Sequence, residues 1–574
     1  MSVIIGPALP LAALIWPLLI GLVAALPAVR AHALRLLPFA PLPALWIALV
    51  GIDGSTLAPD LLLGITLGAA RPAALLFGLT AILWFAAAIH AQGSMKNTQN
   101  PAVFTGFWCL TLAGNLGVFL AQDVATFYVA FAAVSLSAYF LVVHEGTPSA
   151  LHAGRVYAVL AILGEVCLLI AFVIGATVAD SLLIADIRAA LPGTPLAALT
   201  IGLLVAGFGI KAGLMPLHVW LPLAHPAAPT AASAVLSGAI VKAGIIGLMV
   251  FLPSRTGVGA VLVVLGFFTA FAGALVGLRV RAPKAILAYS TISQMGLIVA
   301  LVGAAIQTEA ADMASIAYYA FHHGLAKGAL FLGVAVFAAS GGRWRKTVLT
   351  MLGLVALSVA GAPMTGGGLT KMAAKPGLAT VNALGGLGEL ALTLSAVTTT
   401  LVLAWFLQRL SAGTAQSARD DERPGWPIAL PTLALGLAAL MLPWWLWSGW
   451  SSLPPDYPLR LASLWSAAWP VALGLAFAGA MAATRWRAGT LDQADPLWWT
   501  RGIARALAPL GAVPEQMAGM RSAVANRVQA AARAATIGIV IAADAAEKTV
   551  LAWRISGLAM LAGVLIVVAL LVAV

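Results

Sequence analysis

The sequence predicts an all-α protein that crosses a membrane many times, and three observations carry this prediction. Of its 574 residues, 62% are hydrophobic and 9% are charged, and the mean hydropathy is +1.02. Soluble globular domains carry roughly 25% charged residues. The apolar residues also fall into runs of about 20, the length that a helix needs to cross a bilayer.

Charge and cysteine usage exclude several other classes of protein. The net charge is +12, but the basic residues lie in short loops and in the C-terminal region, as the positive-inside rule requires of a membrane protein, and form no nucleic-acid-binding face. Cys109 and Cys167 both lie inside apolar runs. Two such thiols exclude a disulfide framework, a cysteine zinc site and an iron–sulfur cluster. We therefore expect no metal and no cofactor.

The apolar runs, taken in order, predict the membrane spans. The first run has no Lys or Arg before Arg30, so we expect a retained span and not a secretory signal. Because Arg30, His32 and Arg35 follow it, we expect the N-terminus outside and the first loop in the cytoplasm, in a bacterial inner membrane. The runs occupy residues 3–29, 33–52, 72–91, 101–120, 123–143, 156–177, 197–221, 229–252, 256–279, 285–304, 314–338, 347–363, 381–408, 427–449, 466–483 and 554–574. About two of them are expected to be re-entrant or half-length, which leaves about 14 transmembrane helices.

Two regions between the runs differ from simple loops. Residues 53–71 contain Ile-Thr-Leu followed by Gly and Pro, which indicates an extracellular loop with extended character. The charged region 485–553 contains a helical pattern over 514–550, where Met517, Met520, Val524 and Val528 recur at steps of three and four. This pattern favours an amphipathic helix along the membrane surface over a solvated linker.

Residues 199–250 carry the strongest functional signal. Two apolar runs hold Lys211 and Lys242 near their middles, and a hinge with Pro216, Pro222, His218 and His225 separates them. A lysine at mid-bilayer costs roughly 2.5–3.5 kcal/mol on insertion scales and indicates function. A helix break at that depth needs backbone that is buried in protein or lines a wet cavity.

Further ionisable residues repeat this pattern along the chain. Lys327 lies deep in an apolar run, with His323 four residues earlier on the same helical face. Lys371 follows a second break at Pro363 and Gly366. The alternative for each lysine is a side chain that reaches to the headgroups. Burial disfavours a charged amine, so a row of lysines and histidines predicts a path for protons.

Four segments resemble the antiporter-like membrane subunits of respiratory complex I, Mrp-type cation/proton antiporters and group 4 membrane-bound hydrogenases, with the hydrogenase-type branch closest. The segments are GFGIKAGLMPLHVWLPLAHPAAPTAASAVLSGAIVKAGIIG (208–248), KAILAYSTISQMG (284–296), HHGLAKGALFLG (322–333) and AGAPMTGGGLTK (360–371). The resemblance implies two inverted five-helix repeats, each with a broken helix. It also implies a proton relay through Lys211, Lys242, His323, Lys327 and Lys371, and a lateral helix near 514–550.

One departure from the family pattern concerns the acid that pairs with the first lysine. The position of that glutamate is Ala132 here, and the acid expected before Ala224-His225-Pro226 is Leu223. Glu165, in the next apolar run, is either the replacement acid or a packing residue satisfied by a hydroxyl or water. The missing acid could also come from a partner subunit.

The chain therefore divides into five expected regions. These are N-terminal helices (1–100), an antiporter-like core (101–410), C-terminal helices (411–484), a basic loop with the lateral helix (485–553) and a terminal span (554–574). The favoured function is a proton-translocating subunit of a larger membrane complex, driven by redox partner subunits because the chain has no redox motif. The alternatives are an Mrp-type Na⁺/H⁺ antiporter subunit, an ion-coupled inorganic-carbon uptake subunit and a non-pumping scaffold.

Overall fold

The computed structural model describes residues 8–51, 56–58, 63–308, 313–379, 387–412 and 423–484. The predicted basic loop with its lateral helix (485–553) and the terminal span (554–574) lie outside the described residues.

The described chain is almost entirely helical, which confirms the predicted all-α class. After α1 (Ala8–Ala25) and a 3₁₀ helix (Arg30–Phe39), the helices are α2 (Leu42–Val50), α3 (Arg71–Ser94), α4 (Pro101–Leu120), α5 (Val124–Val142), α6 (Pro148–Ala179), α7 (Ile184–Ala190), α8 (Ala197–Ala212), α9 (Trp220–Ala227), α10 (Thr230–Val235), α11 (Lys242–Phe251), α12 (Val258–Gly277), α13 (Pro283–Thr308), α14 (Met313–Ala338), α15 (Gly342–Ala360), α16 (Gly366–Ala374), α17 (Pro376–Ala379), α18 (Leu387–Ala412), α19 (Trp426–Trp450) and α20 (Leu461–Ala483). A π-helical turn (Leu236–Ile240) separates α10 from α11.

Twelve helical segments within the described residues are long and apolar enough to cross a membrane, and two shorter apolar helices, Leu9–Ala25 and Ala197–Ala212, accompany them. The chain is a multi-pass membrane protein. The expected number of about 14 spans and the inverted repeats remain predictions, since part of the chain lies outside the described residues.

The predicted extended loop forms a small β-hairpin. Strand β1 (Thr56–Ala58) pairs antiparallel with β2 (Ile65–Leu67). Asp123, the N-cap of α5, fastens the hairpin, because its carboxylate accepts from the Thr66 amide at 2.8 Å and from the Thr126 amide at 2.7 Å. This acid is therefore a structural cap at a helix end.

Close helix crossings bring the site residues together. A Cβ atom at Gly207 of α8 would lie 2.9 Å from the Gly164 carbonyl oxygen of α6. At Gly244 of α11, a Cβ atom would lie 2.5 Å from the Phe208 carbonyl oxygen of α8. Because only glycine fits at these points, α8 approaches both α6 and α11 at backbone distance.

The order of the helices places most basic side chains at one end of the bundle. This basic end carries the connections after α3, α5, α9, α12 and α14, and cross-contacts such as Arg409 Nε to the Arg281 carbonyl oxygen (3.4 Å) join them. Its basic residues are Arg30, Arg35, Lys96, Arg155, Arg279, Arg281, Lys284, Arg343, Arg345, Lys346, Arg409 and Arg423. The opposite end, with the β-hairpin, carries Arg71, Arg188, Arg255, Lys375 and Arg460.

Candidate functional site

The first helix break lies between α8 and α9. Helix α8 ends at Ala212, and Gly213 takes a left-handed conformation (φ 77°), which ends a helix without the steric cost of a Cβ atom. Pro216 and His218 lie in the turn that follows, and Pro222 lies in the first turn of α9. The Trp220 indole donates to the Ile210 carbonyl oxygen at 2.8 Å and fixes α9 against the end of α8.

Lys211 occupies the last turn of α8 and is 5% exposed. Its Nζ donates to the Ser135 hydroxyl of α5 at 2.7 Å and lies 5.4 Å from the Phe131 ring and 5.9 Å from the Tyr157 ring. An ammonium at a helix C-terminus also faces the negative end of the helix dipole. A hydroxyl, two aromatic faces and a helix terminus thus surround this charge.

Glu165 lies on α6 beside this lysine, where the Gly164–Gly207 crossing brings α6 against α8. It is 6% exposed, and neither carboxylate oxygen accepts a well-formed hydrogen bond from a described residue. It interacts electrostatically with Lys211, and the Ser135 hydroxyl lies next to both groups. Ala132, the position at which the resemblance implies a glutamate in other members, lies one turn before Ser135. We call Glu165, Lys211 and Ser135 the first cluster.

A second pairing forms at the start of α11. Lys242 and His323 of α14 are both fully buried, and Lys242 Nζ lies 2.9 Å from His323 Nδ1. Lys242 Nζ also donates to the Ser237 carbonyl oxygen (2.8 Å), which the π-helical turn supplies. A π-helical turn shifts the hydrogen-bond pattern of a helix and often occurs at functional sites.

Lys327 lies one turn after His323 on α14 and is 0% exposed. Its Nζ donates to the Leu287 carbonyl oxygen of α13 at 3.1 Å, and it interacts electrostatically with Lys242 and His323. His323 and Lys327 therefore lie on the same face of α14, as expected from their spacing, and this face packs inside the bundle.

The second helix break lies between α15 and α16. Helix α15 ends at Ala360, and Gly361 is left-handed (φ 94°). After Pro363, the Thr365 hydroxyl accepts from the Gly368 amide at 3.3 Å and caps α16, which begins at Gly366. Lys371 Nζ, in α16, donates back to the Ala360 carbonyl oxygen at 2.8 Å.

His322 connects the second break to the Lys242–His323 pair, a role that the sequence did not predict. Its Nε2 lies 2.9 Å from the Ser358 hydroxyl, which also accepts from the Gly367 amide at 3.1 Å. It interacts electrostatically with Lys371 and His323. Two adjacent histidines in an apolar run are the signal that could have identified it.

The two histidines of the first hinge separate in the structure. His225 is 0% exposed, stacks on the Phe331 ring at 4.6 Å and interacts electrostatically with Lys327 and Lys284. His218 lies beside the Tyr289 ring at 6.1 Å, and no interaction found among the described residues joins it to the amines.

Electrostatic interactions and hydrogen bonds connect most of these groups into what we call the central cluster. Its members are Lys242, His323, Lys327, His225, Lys284, His322 and Lys371. Within the described residues, no such interaction links Lys211 to Lys242, although α8 and α11 approach closely at Gly244. The described part of the chain also holds no group of three or more His, Cys, Asp or Glu side chains that fits a metal ion.

This fold and this site define a multi-pass membrane protein that keeps amines and imidazoles inside its apolar bundle. Residues 121–374 match the profile of the family described as "NADH:quinone oxidoreductase/Mrp antiporter, TM". The resemblance that the four sequence segments indicated is thus confirmed over these residues, which make up less than half of the chain.

Individual relatives show the same likeness. The chain is 35% identical over 250 residues to hydrogenase-4 component B of Escherichia coli, across 41% of this chain and 37% of that protein. It is 28% identical over 323 residues to a Na⁺/H⁺ antiporter subunit of Bacillus subtilis, across 53% of this chain and 65% of the relative. The matched region thus spans less than two thirds of either relative.

A solved structure supports the fold. One polypeptide of the Mrp complex from Dietzia superposes with a TM-score of 0.64 at 22% identity, covering 76% of this chain and 94% of that one.

Proposed function

We propose that the chain is a proton-translocating, antiporter-like subunit of a multisubunit membrane complex. The observation that carries this proposal is the buried Lys242–His323 pair, whose nitrogens are 2.9 Å apart. At that distance one proton can lie on either nitrogen, and buried groups of this kind form proton relays in membrane proteins. Lys327, His322 and Lys371 extend the pair in both directions.

The chemistry of the central cluster favours protons over metal cations. Its members carry only amine and imidazole nitrogens, and protonated amines repel Na⁺. Alkali and alkaline-earth cations prefer oxygen ligands. Amines and imidazoles transfer protons at neutral pH when their surroundings adjust the balance between charged and neutral forms.

The energy for transport would come from partner subunits, because the sequence contains no redox motif. Hydrogenase-4 component B, the relative at 35% identity, favours redox partners, with further membrane subunits and peripheral redox subunits in the complex. The likeness to the Bacillus antiporter protein keeps an Mrp-type Na⁺/H⁺ exchanger as the second candidate. The inorganic-carbon and scaffold alternatives have no comparable observation in their favour.

We infer the orientation and location from the charges. The basic end would face the cytoplasm, in agreement with the expected cytoplasmic first loop, and the β-hairpin end would face outwards. A bacterial inner membrane fits this arrangement. The expected core of residues 101–410 contains both helix breaks and both clusters.

Proton flux through the assembled complex in sealed vesicles tests the proposal. Lys242→Met keeps the side-chain volume and removes the amine, so we expect flux to fall by about 100-fold with assembly intact. Lys346→Met, at the basic end, is the control and should transport like the parent. Parental flux in an assembled Lys242→Met complex would support the alternative of a non-pumping scaffold subunit. Proton flux that a Na⁺ gradient drives without a redox substrate would support the alternative of an Mrp-type Na⁺/H⁺ antiporter subunit.

A further inference from the structure

Lys284 of α13 belongs to the central cluster and begins one of the four family-like segments, but it has no part of its own in the proposed relay. It is half-buried in the first turn of α13, at the basic end. Its Nζ donates to the Ala228 carbonyl oxygen at 2.7 Å. Ala228 is the C-cap of α9, the helix that follows the first break.

From this hydrogen bond, the contacts lead inward to the other members of the central cluster. His225 lies one turn before Ala228 on α9, and neither of its ring nitrogens has a hydrogen-bond partner among the described residues. It interacts electrostatically with both Lys284 and Lys327. Lys327 in turn donates to the carbonyl oxygen of Leu287, one turn after Lys284 on α13.

In the outward direction, the neighbouring group is Glu145. This carboxylate is exposed in the loop after α5 and interacts electrostatically with Lys284. Exposure therefore falls stepwise: Glu145 is exposed, Lys284 is half-buried, and His225 and Lys327 are 0% exposed. Such a gradient is what a route from water to a dry relay requires.

We propose that Lys284 is the proton-transfer residue at the entrance of the relay, between water beside Glu145 and the buried His225. This inference rests on the proposed proton translocation. In the step, an N–H bond of the Lys284 ammonium breaks and an N–H bond forms on one ring nitrogen of His225. The proton on the other ring nitrogen passes to the neutral amine of Lys327, and a ring flip of His225 restores the starting tautomer. A hydronium ion on the aqueous side then reprotonates Lys284 and leaves as water. Protons and charge balance at each transfer.

A purely structural role for Lys284 would be to cap α9, since a cation at a helix C-terminus bonds its free carbonyls. Arginine can do the same, but its guanidinium does not release a proton. Lys284→Arg therefore separates the two roles. The matched control is Lys346→Arg, which alters a lysine at the same end with no contact to the central cluster.

We expect the assembled Lys284→Arg complex to lose proton flux by about tenfold or more, and Lys346→Arg to match the parent. A second variant restores the amine chemically. In a background with Cys109→Ala and Cys167→Ala, Lys284→Cys should also lose flux. A methanethiosulfonate that adds an aminoethyl group should restore most of it, and one that adds a neutral methyl group should not. The reagent is added after the complex has assembled. The rescue therefore tests the role of the amine even if the Lys284→Arg complex fails to assemble.

Parental flux in Lys284→Arg, or equal rescue by the neutral reagent, would overturn the role of Lys284. If Lys242→Met abolishes flux in the same vesicles, only this inference fails. If Lys242→Met also transports normally, the proposed function fails with it.

Discussion

The two helix breaks hold their lysines in different ways. At the first break, Lys211 ends its half-helix and donates sideways to Ser135 of another helix, with the buried Glu165 beside it. At the second break, Lys371 lies beyond the break and donates back to Ala360, the last residue of the preceding half-helix. No carboxylate among the described residues accompanies Lys371, whose electrostatic neighbours are His322 and His323.

This difference indicates how each ammonium is stabilised. A charge beside a carboxylate depends on that acid, whereas a charge at a helix C-terminus depends on backbone geometry. We therefore expect the first break to respond to changes of side-chain charge and the second to changes of backbone packing.

The largest expected effect is Gly367→Ala at the second break. A Cβ atom there would overlap with the Ser358 carbonyl oxygen and lie 2.7 Å from His322 Cε1, so α16 could not keep its place. We expect a loss of stability of about 3 kcal/mol or more, measured as thermal unfolding of the purified complex. Gly353→Ala is the control within α15, because its nearest contact would be Leu407 Cδ1 at 3.9 Å. Equal stability of both variants would contradict the geometry of the break.

The next effect is that of Glu165→Gln at the first break. The change removes the negative charge beside Lys211 and keeps the side-chain shape, so we expect proton flux to fall by about tenfold or more with assembly unchanged. Glu389→Gln, which breaks a surface ion pair with Lys375, is the control and should have no effect. Parental flux in Glu165→Gln would show that Glu165 only packs between helices. The acid that the resemblance implies at position 132 would then have to come from a partner subunit.

A smaller effect is expected for Ser135→Ala. The variant removes a hydrogen-bond acceptor of the Lys211 ammonium, which costs about 1–3 kcal/mol for a buried charged donor. Flux and thermal stability should both decrease. Ser137→Ala on the same helix is the control, since that hydroxyl forms its hydrogen bonds, within the described part of the chain, with the Ala133 carbonyl oxygen and the Thr111 hydroxyl. A larger loss in Ser137→Ala than in Ser135→Ala would count against the first cluster.

The smallest effect lies outside both breaks, at His144 in the loop after α5. Burial lowers the pKa of His144 to about 4, and its Nε2 lies 2.6 Å from the Thr98 hydroxyl. The folded state thus favours the neutral ring. Its contribution to stability is complete above pH 6.5 and is lost as the pH falls towards 4. His144→Gln should flatten the pH dependence of amide exchange over this interval, with proton flux unchanged at pH 7. An unaltered pH profile would contradict the assignment.

The sequence predicted the individual groups of the site better than their partners. Lys242 and His323 each stood out as polar residues in apolar runs, yet they meet across 81 residues of chain. Lys211 and Ser135 meet across 76 residues. Serines are common in membrane helices, so nothing marked Ser135 or Ser358 in advance. Lys284 lies near a helix end, where a lysine normally reaches to the membrane surface.

The sequence by itself determined the fold class, the positions of the breaks and the isolated charges, because hydropathy, proline and glycine act locally on the backbone. Only the tertiary structure decided which groups meet. Glycine crossings bring α6 and α8 to backbone distance and place Glu165 beside Lys211. The packing of α9, α13 and α14 brings Lys284, His225 and Lys327 together. The physical reason is that hydrogen bonds and charge interactions act over a few ångströms, so they depend on distances that helix packing sets and that position in the chain does not.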